Sequence, residues 1–220
     1  MSLPRTQFGY SIDEYLAIDR ASEERYEYLD GAIYAMAGES PAHGIICTNL
    51  TGLLYLHLRD GPCHLFSKDT KVRSGPDPKP GRKKGLFSYP DVVVVCEEMK
   101  FHDQHQDILL NPNIIIEVMS PNTREFDHGD KQTRYQAWLP SLAEYILVSQ
   151  DTPRVEMYTR ANQGEWIYSV AEGLESEIHI TSIDCTLRLS QIYARVVFPE
   201  TKPESADESF EDILRRKGLR

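Results

Sequence analysis

Two carboxylates stand where apolar residues otherwise crowd the chain: Asp91 precedes four valines and Glu117 follows three isoleucines. An acid is rarely buried without compensation, so each needs a partner. Taken singly, Asp91 reads as a strand-start cap after Pro90, and Glu117 as the partner of a neighbouring Arg or Lys. Taken together, acids on adjacent central strands can hold one divalent cation, since Mg2+ is bound by one or two carboxylates plus substrate phosphate. Such a cation activates water and neutralises charge on a scissile phosphate.

Hydrolysis of a phosphodiester in this way also calls for a cationic side chain beside the water or the phosphate. Strand side chains two apart share a face, which puts Met119 in that place, and a thioether cannot do the job. Lys131, on the helix that follows, is the nearest replacement, with a four-carbon stem able to reach back over the sheet. The plain alternative is an exposed lysine paired with Asp127 at i,i+4.

A formal net charge of −10 does not suit a chain that must hold a polyanion, so any nucleic-acid contact has to be local. The one candidate is the stretch from Lys71 to Lys84, where Lys71, Arg73, Lys79, Arg82, Lys83 and Lys84 face a single acid, Asp77.

The elements that must position these residues follow from pattern. Ser11-Ile-Asp-Glu14 is a capping box that opens a short helix through Ile18. Asp30-Gly31 supplies the positive φ angles of a tight hairpin between Arg25–Leu29 and Ala32–Met36. Ser40-Pro41 starts a long helix to about Arg59, with Ile46, Leu50, Leu53, Leu54 and Leu58 at helical spacing. Two short strands fall between Cys63 and Ser74, and the proline-rich stretch from Gly75 to Gly85 is an exposed, mobile loop. Asp91–Cys96 and Ile114–Met119 are continuous β-branched runs, the pattern of central strands covered on both faces. Asp127–Trp138 reads as a helix with Tyr135 and Trp138 on a shared face, ended by Pro140. Tyr145–Val148, Val155–Tyr158 and Trp166–Val170 are further strands. The chain thus reads as one domain over 1–198 and a charged tail over 199–220.

Other signals carry less. Phe101-His-Asp-Gln-His-Gln-Asp107 offers His102 and His105 among acids, yet its setting is that of an exposed polar loop. Ser40 and Ser120 lack the glycine-bounded turn of a hydrolase nucleophile, and no glycine-rich phosphate loop exists. Cys47, Cys63, Cys96 and Cys185 show no paired spacing, which predicts buried, reduced thiols. No basic, apolar leader and no membrane-length apolar run is present, so the expectation is a cytoplasmic protein with no membrane partner. The segment Phe210–Arg216 is amphipathic and reads as a loosely ordered tail end.

Arg25-Tyr-Glu27, Asp30-Gly31, His43, Pro90-Asp91, Glu117-Val-Met-Ser-Pro-Asn-Thr123, Asp127, Lys131, Tyr135 and Glu144-Tyr145 together resemble the Uma-type putative restriction endonuclease family, a branch of the PD-(D/E)XK nucleases. The match runs from about Ser11 to Tyr168. Ile146 and Ser149-Gln150 stand where an aromatic and an acid usually follow the Glu-Tyr pair. The resemblance implies a restriction-endonuclease-like α/β core, a Mg2+ or Mn2+ site on Asp91 and Glu117, a lysine moved onto the helix as Lys131, and supporting roles near the site for Glu27 and His43. Tyr26 and Tyr28 alternate with Glu27, so Glu27 faces the metal if the tyrosines pack away from it.

The reading is therefore an α/β protein in which a twisted central sheet, flanked by helices from Pro41 and Asp127, carries Asp91 and Glu117 at one mouth. Its expected activity is Mg2+-dependent endonucleolytic hydrolysis of DNA, with the basic loop on backbone phosphates and homodimerisation left open. Two other classes stay open: a nucleic-acid-binding protein that keeps the fold without turnover, and an interaction domain whose acids are neutralised internally.

Overall fold

The computed structural model describes residues 5–36, 38–77, 79–121 and 123–199 of the 220. Most of the tail expected over 199–220, with the amphipathic segment Phe210–Arg216, lies outside the described residues.

Strand β1 (Arg5–Phe8) leads to helix α1 (Ile12–Ala21), which opens on the expected capping box: the Glu14 N–H donates to Ser11 Oγ, and the Ser11 N–H donates to Glu14 Oε2 at 2.7 Å. Asp30 (φ 47°) and Gly31 (φ 96°) turn β2 (Tyr26–Leu29) back into β3 (Ala32–Ala35). Ser40 caps α2 (Pro41–Leu58) by accepting from the His43 N–H, with proline in the first turn where its missing N–H costs nothing. Six strands follow in pairs: β4 (His64–Ser67) and β5 (Lys71–Ser74), β6 (Leu86–Ser88) and β7 (Val92–Val95), then β8 (Ile108–Leu109) and β9 (Ile114–Met119).

One helical run then spans α3 (Arg124–Phe126), a π-helical turn at Asp127–Lys131, and α4 (Gln132–Trp138). The described residues continue through β10 (Glu144–Ser149), β11 (Arg154–Arg160), β12 (Trp166–Glu172), β13 (Glu177–Ile180), β14 (Cys185–Arg188) and the short α5 (Leu189–Ile192).

The strands form two six-stranded sheets and a separate β13–β14 ribbon. The first sheet has the order β12-β11-β10-β9-β7-β4 and is mixed, with β9 parallel to β10 and antiparallel to β7. The second has the order β1-β3-β2-β6-β5-β8. Side-chain alternation explains how they pack. Val92, Val94, Ile114 and Ile116 meet Ile46, Leu50 and Leu54 of α2 on one face of the first sheet. Val93, Val95, Ile115 and Met119 meet Tyr135 and Leu139, together with Val72 and Leu86 of the second sheet, on the other. The valine and isoleucine runs are thus apolar throughout because both faces are covered, and each buried aliphatic side chain contributes about 1.5–3 kcal/mol. What pattern alone did not foresee is the second sheet. The early hairpin joins β5, β6 and β8 there and helps to roof the face that carries Glu117.

The cysteine expectation fails for one pair. Cys63 and Cys96 are disulfide-bonded, while Cys47 and Cys185 are free and buried. The cause is register: β4 pairs His64 with Val95, so the next residue outward on each strand sets Cys63 opposite Cys96. A sequence separation of 33 hides that neighbourhood. Among the described residues, no helix is long and apolar enough to cross a membrane.

Candidate active site

Strands β7 and β9 pair Val92 with Ile116, and continuing that register by one residue sets Asp91 opposite Glu117. Directly opposed residues have Cβ atoms roughly 4.5–5.5 Å apart, so two acids distant in sequence become a cross-strand pair. Both oxygens of Asp91 are held. His43 Nε2–H donates to Oδ1 at 2.8 Å, and the Val118 N–H donates to Oδ2 at 2.7 Å. Burial pushes the Asp91 carboxyl up, but His43, the Val118 N–H and the charge of Lys131 outweigh it and hold the group below its ordinary value. Asp91 is therefore an anion locked in orientation.

Lys131 reaches the other member of the pair from the helical run. Its ammonium lies 3.1 Å from Glu117 Oε1, 3.3 Å from Asp127 Oδ1 and 3.4 Å from Glu27 Oε1, with the residue only 6 % exposed. Burial lowers its pKa, yet the three carboxylates more than reverse this and keep it an ammonium. The exposed surface lysine considered from sequence is thus excluded, although its pairing with Asp127 is present. The lysine leaves the chain at the last residue of the π turn. Such turns interrupt a regular helix and recur at functional sites.

Glu117 is 4 % exposed, and burial drives its carboxyl well above the ordinary value. Lys131 opposes this, whereas Asp127, Asp91 and Glu27 add to it. Tyr135 donates to Glu117 Oε1 at 3.3 Å and shares a 2.6 Å hydrogen bond with Ser88. Glu27 accepts from the Tyr89 N–H at 3.2 Å. It faces the site because Tyr28 points the other way, into a cluster with Tyr15 and Phe87.

These side chains line one cavity of about 750 Å3, with Glu27, His43, Asp91, Glu117, Asp127 and Lys131 on its walls. Arg25, Lys68 and Gln150 also line it, and Gln150 accepts from Ser40 Oγ at 2.8 Å. All five residues singled out from sequence for the catalytic centre are therefore brought together. Sequence reasoning placed none of Asp127, Tyr135 and Gln150 in the catalytic centre, Asp127 entering only as a surface partner of Lys131. The signal for the first two was available, because residues 127, 131 and 135 repeat at the spacing of one helix face.

The donor set fits a hard divalent cation. Four carboxylates converge on one ammonium and one imidazole, and Asp127 Oδ1, 3.3 Å from the ammonium, is buried with no hydrogen-bond partner among the described residues. Oxygen-rich, under-compensated clusters of this kind are what Mg2+ and Mn2+ bind. A second grouping, Glu39, His43 and Cys47, brings three possible donor atoms within 4.8 Å of one another. Its thiol is buried, with a pKa pushed far up chiefly by that burial, and Glu39 is already ion-paired with Lys68. Thiolate donors suit softer metals than magnesium.

The basic stretch divides. Lys71 points inward, ion-paired with Asp19 and lying 5.5 Å from the centroid of the Tyr15 ring, so it cannot meet a phosphate. Inclusion of Lys71 among the phosphate contacts is thereby corrected, because its ammonium is buried against Asp19 and lines neither cavity. Arg73 is also buried, whereas Lys79, Lys83 and Lys84 are exposed and Arg82 is half-buried. The loop's far end is tied down: the Ile12 N–H donates to Arg82 O at 3.1 Å, and Tyr28 OH donates to Lys83 O at 2.7 Å. In the 101–107 segment, Asp103 and Asp107 are engaged by Arg20, and the His102 ring lies edge-on to Phe87.

Comparison with known proteins bears on this geometry. The sequence profile of Uma2, described as "Putative restriction endonuclease", matches residues 12–190. Two proteins of Synechocystis sp., both described as uncharacterized, are similar. One, slr1290, is 30% identical over 191 residues, which is 86% of this chain and 93% of the relative. The other, sll1609, is 32% identical over 168 residues, 76% and 90% of the two chains. A crystal structure titled as a putative nuclease belonging to DUF820, from Anabaena variabilis, superposes with a TM-score of 0.68 at 15% identity, covering 86% of this chain and all of that one. At that identity the likeness establishes a shared mixed α/β fold.

Proposed function

The chain belongs to the Uma2 family of putative restriction endonucleases, and on that premise we propose that it is a metal-dependent endonuclease that hydrolyses phosphodiester bonds in DNA. The observation that carries the reading is the pairing of Asp91 with Glu117 across adjacent strands, with the Lys131 ammonium 3.1 Å from Glu117. Asp91 and Glu117 would hold a Mg2+ or Mn2+ ion, and Glu117, Glu27 and Asp127 keep Lys131 charged.

When bound, the divalent cation supplies charge neutralisation at the scissile phosphate and a lower pKa for water. The chain's own groups do the rest. His43 and the Val118 N–H fix both Asp91 oxygens, so the carboxylate presents its remaining lone pairs to the cavity without reorganising. Lys131, held as an ammonium, donates to the non-bridging phosphate oxygens or to the attacking water, and stabilises charge that grows in the transition state. Tyr135 holds Glu117 from behind, anchored in turn by Ser88. The exposed Lys79, Lys83 and Lys84 engage backbone phosphates, which position a duplex without reading its sequence. DNA is the partner in this reading.

Glu117→Gln tests the assignment on plasmid DNA with Mg2+ and Mn2+. The variant should lose cleavage by about 100-fold or more while melting as the parent does. Cleavage at the parental rate would reject the site.

A further inference from the structure

A second cavity, of about 550 Å3, shares no lining residue with the acidic one. Its walls are Arg73, Lys79, Arg82, Asp77 and Leu110, with Trp138 and Pro140 at the end of α4. We propose that this cavity is a nucleotide subsite, taking a phosphate on Arg73, Arg82 and Lys79 and stacking the attached base on Trp138.

Three cations here face one acid, Asp77, among the described lining residues. Arg73 is 7 % exposed, and its Nε is buried without a hydrogen-bond partner among the described residues; its Nη2 donates to Pro76 O. A buried, orphaned guanidinium N–H beside a second guanidinium is satisfied by an anion, and a phosphate can bridge both. Trp138 is 41 % exposed and presents a flat apolar surface where Leu110 and Pro140 also lie. Cationic walls around one open aromatic ring fit a charged group linked to a flat one, which is the chemistry of a nucleotide. The volume is within the range of small-molecule sites.

Helix α4 relates this cavity to the acidic one. Lys131 and Trp138 are seven residues apart, nearly two full turns, so they leave the helix on similar bearings. At about 1.5 Å per residue they are separated by roughly 10 Å along the axis, a span covered by about three stacked nucleotides at 3.4 Å of axial rise each. The occupant is therefore a nucleotide of the strand whose phosphodiester lies at Lys131, and the inference rests on the nuclease reading for that identity alone.

Binding is measured in EDTA, by calorimetry and tryptophan fluorescence, with AMP, a dT12 oligonucleotide and inorganic phosphate as separate probes. AMP and dT12 should bind and quench, the oligonucleotide more tightly, with Arg82→Ala and Trp138→Leu each weakening dT12 binding about tenfold. Glu117 lines only the acidic cavity, and Glu117→Gln should leave the affinity for AMP unchanged, so loss of cleavage and loss of this subsite are separable. AMP binding more tightly than dT12 would overturn the strand assignment. Phosphate binding as well as AMP, or affinities untouched by Arg82→Ala and Trp138→Leu, would overturn the subsite itself.

Discussion

Lys131 Nζ lies 3.1 Å from Glu117 Oε1 although the two residues are fourteen apart and sit on different kinds of element. The strand position that shares a face with Glu117 holds Met119, which packs into the apolar cluster instead. The ammonium is supplied by a π turn laid over the strand, so charge reaches the same point in space by a different route through the chain.

This arrangement makes Lys131 a stability determinant as well as a chemical one. Lys131→Met leaves Glu27, Glu117 and Asp127 buried together without their cation. The variant should lose about 3–5 kcal/mol in urea denaturation at neutral pH, along with its cleavage activity. A stability equal to that of the parent would contradict the burial of this cluster.

Divalent cations should stabilise the protein measurably. At one hundred times its dissociation constant, Mn2+ should add about 2.7 kcal/mol to unfolding, seen as a higher melting temperature. Asp91→Asn should abolish that shift. A parental melt indifferent to Mn2+ and Mg2+ would leave the acids as internally neutralised structure.

Asp30 offers a pH test away from the site. Burial raises its carboxyl, but Arg134 at 2.6 Å and the Gly85 N–H at 2.8 Å overcome this and hold it below its ordinary value of 3.8. A depressed folded-state pKa means the stabilisation is fully present above the unfolded value and is lost as pH falls through the folded one. Asp30→Asn keeps a residue that tolerates the positive φ at this turn. The gap in stability between parent and variant should therefore close as pH drops below about 4; a gap constant from pH 7 to 2 would refute the linkage.

Cys63 and Cys96 predict a thiol count. Denatured, unreduced protein should show two reactive thiols and reduced protein four. Cys63→Ser should cost about 3–4 kcal/mol relative to the oxidised parent, on the chain-entropy account of a loop this long. Four thiols before reduction would show the pair to be open.

Much of the local structure was legible because its causes are local. The Ser11 capping box, the Asp30-Gly31 turn and the proline-started helix at Pro41 each follow from a few adjacent residues. The loop bounded by Gly75 and Gly85 belongs with them, though its reason is one of packing. A Cβ on Gly75 would stand 2.8 Å from Gly85 Cα, so the two roots of the loop touch only because Gly75 has no side chain. Lys71 was misjudged for the opposite reason. Its neighbours in sequence are basic and polar, but its environment is set by Asp19, 52 residues away.

By itself, the sequence determined which stretches become central strands, which residues on them are acids too costly to bury without a purpose, and that a lysine beyond Met119 had to serve if any did. Hydrophobic period and residue chemistry carry that much, since both act along the chain. Only the tertiary structure decided that β7 and β9 align in the register that opposes Asp91 to Glu117, that a second sheet roofs the pair, and that Asp127 and Glu27 share its ammonium. Those outcomes depend on distances between residues far apart in the chain, and such distances are fixed by packing rather than by spacing.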